Sequence, residues 1–180
     1  MAQDPLFQVM CTFGCPRACA FCHNSFKPDG RSPPIRMRSV SSMIAELERR
    51  LAEGAPIRRV RFDDEIFGLR PEWLEEFSRR WPGEIGLPFD ILTEPSIVSE
   101  RYARLLGQAG ATHVHMGIQS STEVNARELN RRGGVAETLQ VADRFSRHGI
   151  YVRYLVMVDI PGTTDADYRE LFELFQRVPK

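Results

Sequence analysis

Residues 11–22 read CTFGCPRACAFC and contain all four cysteines of the 180-residue chain. Cys15, Cys19 and Cys22 are separated by three and then by two residues, and Cys11 precedes them. A disulfide framework joins distant segments of a small secreted chain, so a cluster this tight in a chain of this length fits such a framework poorly. The spacing instead predicts a site for a metal ion or a metal cluster.

The cysteine spacing leaves three kinds of site open. A [4Fe–4S] cluster is bound by thiolates, and three of them would leave one iron open. A structural zinc ion takes four protein ligands, so the fourth ligand would have to be Cys11 or His23. The third interpretation is a set of small, inert thiols buried at a turn between a strand and a helix.

Short apolar strands alternate with amphipathic helices along the rest of the chain. Strands are predicted at residues 6–11, 56–62, 89–92, 113–118 and 151–158. Helix starts are predicted from the serines before Val40, from Pro71 and from the caps Ser99 and Thr164, and Gly133-Gly134 divides two helical pieces. Strict alternation of strand and helix implies a parallel sheet covered by helices.

Polar residues directly follow the predicted strands. They are the cysteine loop, Asp63-Asp64-Glu65, Thr93-Glu94, Gln119-Ser120 and Asp159. Periodicity alone does not distinguish a doubly wound sheet from a barrel. In both architectures the sites form where the strands end, so these residues are expected to share one face.

The cysteine motif, with Phe21 just before its last thiol, resembles the radical S-adenosylmethionine (SAM) superfamily, especially its cobalamin-associated, oxidative cyclase and methylthiotransferase members. Residues 62–67, 117–120 and 157–164 resemble later motifs of the same family, so the resemblance spans roughly residues 6 to 178. It implies an α/β fold, a partial TIM-like (βα) barrel of six βα units. Because only about five strands of a parallel sheet are predicted here, the sixth βα unit is expected to be missing. Residues 1–180 are accordingly predicted to be one radical SAM core domain, cut from a longer chain with flanking domains.

The resemblance also implies an enzymatic chemistry. Cys15, Cys19 and Cys22 would bind a [4Fe–4S] cluster whose open iron chelates SAM. A one-electron reductant would drive reductive cleavage of SAM to a 5′-deoxyadenosyl radical, which abstracts hydrogen from a small-molecule or peptide substrate. Cobalamin is implied by analogy only.

The resemblance places the SAM-binding residues by position. Phe21 would lie near the adenine, and Asp63, Asp64 and Glu65 near the methionine ammonium. The other expected contacts are Gln119 and Ser120 with the ribose or the methionine end, Arg131 or Arg132 with the carboxylate, and residues 156–160, including Val158, with the adenine. Each has a plainer interpretation as core packing, a helix cap or a solvated face.

Four further residues are candidates for substrate contact. His113 and His115 lie two apart on one predicted strand, so they share a face, and they would reach substrate if that face is the barrel interior. Glu94 and Asp159 stand where the family usually has other residues, and they are expected to enter the cavity as acidic groups. Cys11 is expected to be a small buried hydrophobe.

Composition limits the remaining classes of function. Twenty-four basic and 24 acidic residues give no net charge, which excludes a global cationic footprint for nucleic acid or membrane. No apolar stretch approaches the ~20 residues of a membrane span, and the closely spaced thiols predict a reducing, cytoplasmic compartment. Two alternatives stay open: a non-catalytic α/β binding module stabilised by zinc, and an RNA-modifying methylthiotransferase, which the neutral charge weakly disfavours.

Overall fold

The computed structural model describes residues 5–25 and 34–179. Its elements alternate between strand and helix over most of this length. The strands are β1 (Leu6–Val9), β2 (Thr12–Phe13), β3 (Arg36–Met37), β4 (Arg59–Phe62), β5 (Phe89–Thr93), β6 (Ala111–Gln119) and β7 (Tyr151–Val156). The α-helices are α1 (Val40–Ala52), α2 (Pro71–Glu84), α3 (Glu100–Ala109), α4 (Thr122–Arg127), α5 (Val135–Arg147) and α6 (Asp165–Arg177).

The main sheet is parallel and has the strand order β1-β4-β5-β6-β7 in the described residues. A separate antiparallel pair, β2 and β3, lies between β1 and α1 in the chain. Because each strand of the main sheet is placed beside its predecessor, the strand order never reverses as it does in a doubly wound sheet. The fold is therefore a partial TIM-like barrel, and the predicted sheet of about five strands is confirmed.

Alternation of side chains gives the main sheet two different faces. One face carries Val60, Phe62, Phe89, Ile91 and their neighbours, and it forms a single apolar core with α1, α2, α3, α5 and α6. The opposite, inner face carries mostly polar side chains, such as Arg61 and His115. Because these five helices pack into one core on the first face, the inner face is left to form the lumen of the partial barrel.

Local signals in the sequence account for the helix ends. The Ser39 and Ser99 side chains accept hydrogen bonds from the first turns of α1 and α3. Thr164 and Asp167 form a capping box at the start of α6. Gly110 ends α3 in the left-handed conformation, at φ 94°, which glycine adopts without steric cost.

Two strand ends differ from the sequence prediction. β1 ends at Val9 rather than at residue 11, because the Cys11 amide donates a hydrogen bond to the Asp64 carboxylate and the Cys11 carbonyl accepts one from the Arg38 amide. β7 ends at Val156 rather than at residue 158. The following amide, of Met157, donates to the Gln119 carbonyl.

Within the part of the chain that the structure describes, none of the helices has the length and apolar character required to cross a bilayer.

Candidate functional site

The three closely spaced cysteines border a single cavity at the carboxyl ends of the strands. This cysteine cavity has a volume of about 210 Å³. Its polar or charged lining residues, besides Cys15, Cys19 and Cys22, are Arg17, Glu65, Thr93, Glu94, His115, Gln119 and Arg131. Phe21, Ile66, Leu92, Gly117 and Leu155 complete the lining. The loop after β2 and the ends of β4, β5 and β6 therefore contribute to the same site, as the sequence pattern predicted.

The donor set of this cavity fits a [4Fe–4S] cluster. The three thiols border the same cavity. Burial raises the pKa of the Cys15 thiol, although a hydrogen bond from the Arg17 backbone opposes the shift. In residues 5–25 and 34–179, no three His, Cys, Asp or Glu side chains converge on a point that would hold a single metal ion. A four-iron cluster does not require such convergence, because each thiolate binds a different iron.

Cys11 has a different environment from the other three cysteines. It is 1% exposed and belongs to the apolar core on the helix side of the sheet. Burial, together with the nearby charge of Asp64, raises the pKa of its thiol well above the ordinary value. Cys11 is thus a small buried side chain in the core, as predicted from the sequence, and it does not border the cysteine cavity.

The segment that follows α4 holds the cysteine loop in place. The Ala20 amide donates to the Leu129 carbonyl at 3.0 Å, and the Asn130 side-chain amide donates to the Ala18 carbonyl at 2.7 Å. Arg131 donates to the Cys19 sulfur at 3.4 Å. Three consecutive residues thereby contact three consecutive residues of the loop, which restricts the position of the central thiol.

Arg131 lies at the centre of a charged network beneath the loop. Its guanidinium donates to the Gly117 carbonyl at 2.8 Å and is 3.9 Å from a carboxylate oxygen of Glu94. Glu94 also accepts a 2.8 Å hydrogen bond from Arg17. The side chains of Arg131 and Glu94 are each about 90% buried, with 11% and 10% exposed. Because the single Glu94 carboxylate faces the guanidiniums of both Arg17 and Arg131, this part of the cavity wall keeps one net positive charge.

The three acidic residues after β4 have three separate environments. Asp63 pairs with Arg61 at 2.6 Å and accepts a hydrogen bond from Gln8 at 3.1 Å. Asp64 is fully buried and accepts a hydrogen bond from the Cys11 amide at 3.1 Å. Only Glu65 of the three lines the cysteine cavity. Among the three acids predicted to contact SAM, Glu65 is therefore the one that the geometry favours.

Because the Asp64 carboxyl is buried, we expect the free energy of unfolding to depend on pH in the acidic range. Burial raises the pKa of this carboxyl, although hydrogen bonds from Cys11 and Thr12 oppose the shift. The native state therefore binds the proton more tightly than the unfolded state, and stability falls as pH rises from the unfolded value of 3.8 through the native pKa. Asp64→Asn, which stays neutral, is expected to lack this loss in urea titrations across that range.

The control for this experiment is Asp143→Asn, because Asp143 is 64% exposed on α5. The free energy of unfolding of this variant is expected to follow the wild type at every pH. A constant difference between Asp64→Asn and the wild type over the whole range would contradict the prediction.

The end of β6 directs its last residue into the cavity through an irregularity in the strand. The register with β7 shifts between Gly117 and Gln119, and Gln119 has a φ of 62°. A Cβ atom at position 117 would lie 2.6 Å from the Gln119 side-chain nitrogen, so glycine permits this close approach. Strained conformations of this kind are concentrated at ligand sites.

Ser120 is buried and does not line the cysteine cavity. It lines an adjoining cavity, which Arg131 also lines.

Some of the remaining sequence candidates line the cysteine cavity, and others lie outside it. Phe21 lines the cavity and is 42% exposed, and Val158 is 68% exposed and lies outside it. Asp159 also lies outside: the expectation that it enters the cavity is wrong, because its amide and its carboxylate both hydrogen-bond to the Tyr168 hydroxyl. His115 lines the cavity, whereas His113 lies one step deeper on the same face of β6.

Sequence reasoning named Arg131 but missed the contributions of Arg17, Leu129 and Asn130. Arg17 lies inside the cysteine motif, so its position was a usable signal for proximity to the cavity. Leu129 and Asn130 had no such signal, because they are more than 100 residues away from the loop that they hold. A second cavity, of about 380 Å³, shares Arg17, Cys19, Glu94 and Arg131 with the cysteine cavity.

Comparison with known proteins agrees with this geometry. The family model described as "Radical SAM superfamily" matches residues 9–175. A tRNA-2-methylthio-N(6)-dimethylallyladenosine synthase of Acidithiobacillus ferrooxidans is 27% identical over 175 residues, which cover 92% of this chain and 38% of that protein. The chain therefore spans less than half the length of this curated relative.

Solved structures share the fold. The radical SAM methyltransferase TsrM of Kitasatospora setae, with cobalamin and a [4Fe–4S] cluster bound, superposes with a TM-score of 0.78 at 22% identity, covering 95% of this chain and 32% of that one. The cobalamin-dependent SAM radical enzyme OxsB superposes with a TM-score of 0.79 at 16% identity, covering 94% of this chain and 26% of the other. At these identities the likeness extends to the architecture alone.

Proposed function

The chain belongs to the radical SAM superfamily, a family of enzymes, and we propose that it is the part of such an enzyme that holds a [4Fe–4S] cluster and SAM. The observation that carries the proposal is the placement of Cys15, Cys19 and Cys22 around one cavity at the carboxyl ends of the parallel strands. Cys11 lies in the core and supplies no fourth thiolate. A three-thiolate set leaves one iron open for a second ligand.

The cavity residues have distinct tasks in this function. Cys15, Cys19 and Cys22 would hold the cluster, and a cluster reduced by an external one-electron donor would supply the electron for reductive cleavage of a carbon–sulfur bond of SAM. Glu65 pairs with the ammonium of the methionine end, because a buried cation needs a carboxylate partner. Gln119 hydrogen-bonds the polar groups of SAM, and Phe21 covers one side of it and excludes water.

Arg131 orients the Cys19 thiolate and offers positive charge to the carboxylate of the methionine end. Its side chain is held by the Gly117 carbonyl and by Glu94, so its position is set before any ligand binds. Such preorganisation lowers the cost of ordering the site on binding.

Anaerobic reconstitution with iron and sulfide tests the proposal. We expect the wild-type chain to acquire about four iron atoms, as in a [4Fe–4S] cluster, and then to bind SAM. Glu65→Gln is expected to keep the cluster and to weaken SAM binding by roughly tenfold or more, because a charge-assisted hydrogen bond is lost. Isothermal titration calorimetry measures the affinity, and release of 5′-deoxyadenosine after addition of a reductant measures cleavage.

A matched control is Glu72→Gln, an exposed glutamate in the first turn of α2, which is expected to leave SAM affinity unchanged. Tightly bound zinc without iron would refute the proposal and support the zinc-stabilised binding module. Equal SAM affinity in Glu65→Gln and the wild type would refute the role of Glu65 alone.

A second candidate is an RNA-modifying methylthiotransferase, and the curated relative from Acidithiobacillus ferrooxidans favours it. Fluorescence anisotropy with a labelled tRNA distinguishes it from an enzyme that acts on a small molecule. Salt-dependent binding would support the RNA substrate, since phosphate contacts dominate such affinity.

Cobalamin use is a further proposal, made by analogy with TsrM and OxsB. Spectral titration of the protein with cobalamin tests it.

A further inference from the structure

The inner face of the sheet carries a continuous row of polar side chains below the cysteine cavity. Gln8 is paired in register with Arg61, Arg61 with Asp90, Asp90 with His113 and His113 with Tyr151. This polar row crosses all five strands of the main sheet. An inner face that served only for packing would carry apolar side chains, as the helix side does.

The acidic groups of this face are already paired with basic ones. Asp90, which is 7% exposed, lies 3.2 Å from the Arg59 guanidinium and accepts a 3.0 Å hydrogen bond from Thr112. One nitrogen of His113 is 3.4 Å from the same carboxylate. At the upper end of the face, Asp63 is paired with Arg61 at 2.6 Å. Neither carboxylate is therefore available to neutralise a further positive charge.

One guanidinium on this face stays uncompensated. Arg153 of β7 is the register partner of His115, and it takes part in no ion pair within the described ranges. The guanidinium is exposed, on the strand next to His115. Burial and then the charge of Arg153 lower the pKa of the His115 imidazole. His115 itself lines the cysteine cavity, and Leu155, the next inward-facing residue of β7, lines it as well.

We propose that the inner face between His115 and Arg153 binds one anionic group of the substrate, a carboxylate or a phosphate. The proposal rests on the proposed function, because it places that group below the SAM site and directs the substrate towards it. The guanidinium supplies a paired set of N–H donors for two oxygens, and the imidazole supplies a third contact. A single uncompensated charge selects for one anionic group rather than for a polyanion.

Calorimetric titration of the cluster-loaded protein with inorganic phosphate and, separately, with succinate tests the site. We expect saturable binding of at least one anion to the wild type and a loss of roughly tenfold or more in Arg153→Gln, because a charged hydrogen-bond donor is removed. Arg153→Lys should recover part of the affinity. Arg169→Gln, an exposed arginine of α6, should leave it unchanged. Tighter phosphate binding indicates a phosphate-bearing substrate, and tighter succinate binding indicates a carboxylate.

SAM affinity measured on the same samples separates this proposal from the function on which it rests. If the protein binds SAM but Arg153→Gln binds both anions as tightly as the wild type, the anion site is refuted and the function stands. If the wild type binds neither anion saturably, the anion site is refuted as well. If anion binding depends on Arg153 while cluster and SAM are not bound, the proposed function is refuted and the anion site stands.

Discussion

Replacement of Cys15, Cys19 or Cys22 by alanine is expected to reduce the iron content of the reconstituted chain from about four atoms to near zero. Each of these thiols borders the cysteine cavity, and each is proposed to bind a different iron. With one ligand removed, two thiolates would have to hold the whole cluster against solvent. Iron and sulfide analysis, together with the visible absorbance of the cluster, measures the loss.

Cys11→Ala is the matched control for these three variants. Its thiol is buried in the apolar core on the other side of the sheet, so the cluster should load as in the wild type. Far-UV circular dichroism of all four variants shows whether each has folded, which matters because Cys19 is also 7% exposed. Equal loss of iron in the four folded variants would contradict the ligand assignment.

Phe77→Ala is expected to lower the free energy of unfolding by about 3–5 kcal/mol, the usual cost of truncating a buried phenylalanine. Phe77 is fully buried on α2, and its ring centroid lies 5.0 to 5.6 Å from those of five other aromatic side chains. These five are Phe62, Phe67, Trp73, Trp81 and Phe89. A cavity at this position removes contacts from β4, β5 and α2 together. Since small domains have only about 5–15 kcal/mol of stability, the loss is a large fraction of the total.

Urea unfolding followed by far-UV circular dichroism measures this loss. Tryptophan fluorescence is unsuitable because Trp73 and Trp81 stack on the deleted ring and would respond to the substitution directly. Phe172→Ala is the matched control: this ring is 65% exposed on α6, and its loss should change stability by less than about 0.5 kcal/mol. A similar midpoint for both variants would contradict the assignment of the aromatic cluster as the centre of the core.

Much of the site was predictable because its residues are local in sequence. The three thiols lie within eight residues of one another, so their common loop follows from spacing alone. Glu65 lies three residues after β4 and Gln119 is the last residue of β6, and the carboxyl ends of parallel strands meet at one edge of the sheet. By contrast, the sequence did not distinguish Asp63, Asp64 and Glu65 from one another. Their separate environments depend on Arg61, on the Cys11 amide and on the cavity.

The sequence by itself determined the order of the elements, the parallel sheet and the position of the cysteine site, because periodicity, caps and motif spacing are local properties. Only the tertiary structure decided that five of the helices share one core and leave a polar inner face, since strand order is a relation between distant segments. It also decided that residues 129–131 hold the cysteine loop and that Arg153 lies beside His115. Contacts of this kind depend on which side chains the fold brings together, and no pattern along the chain encodes them.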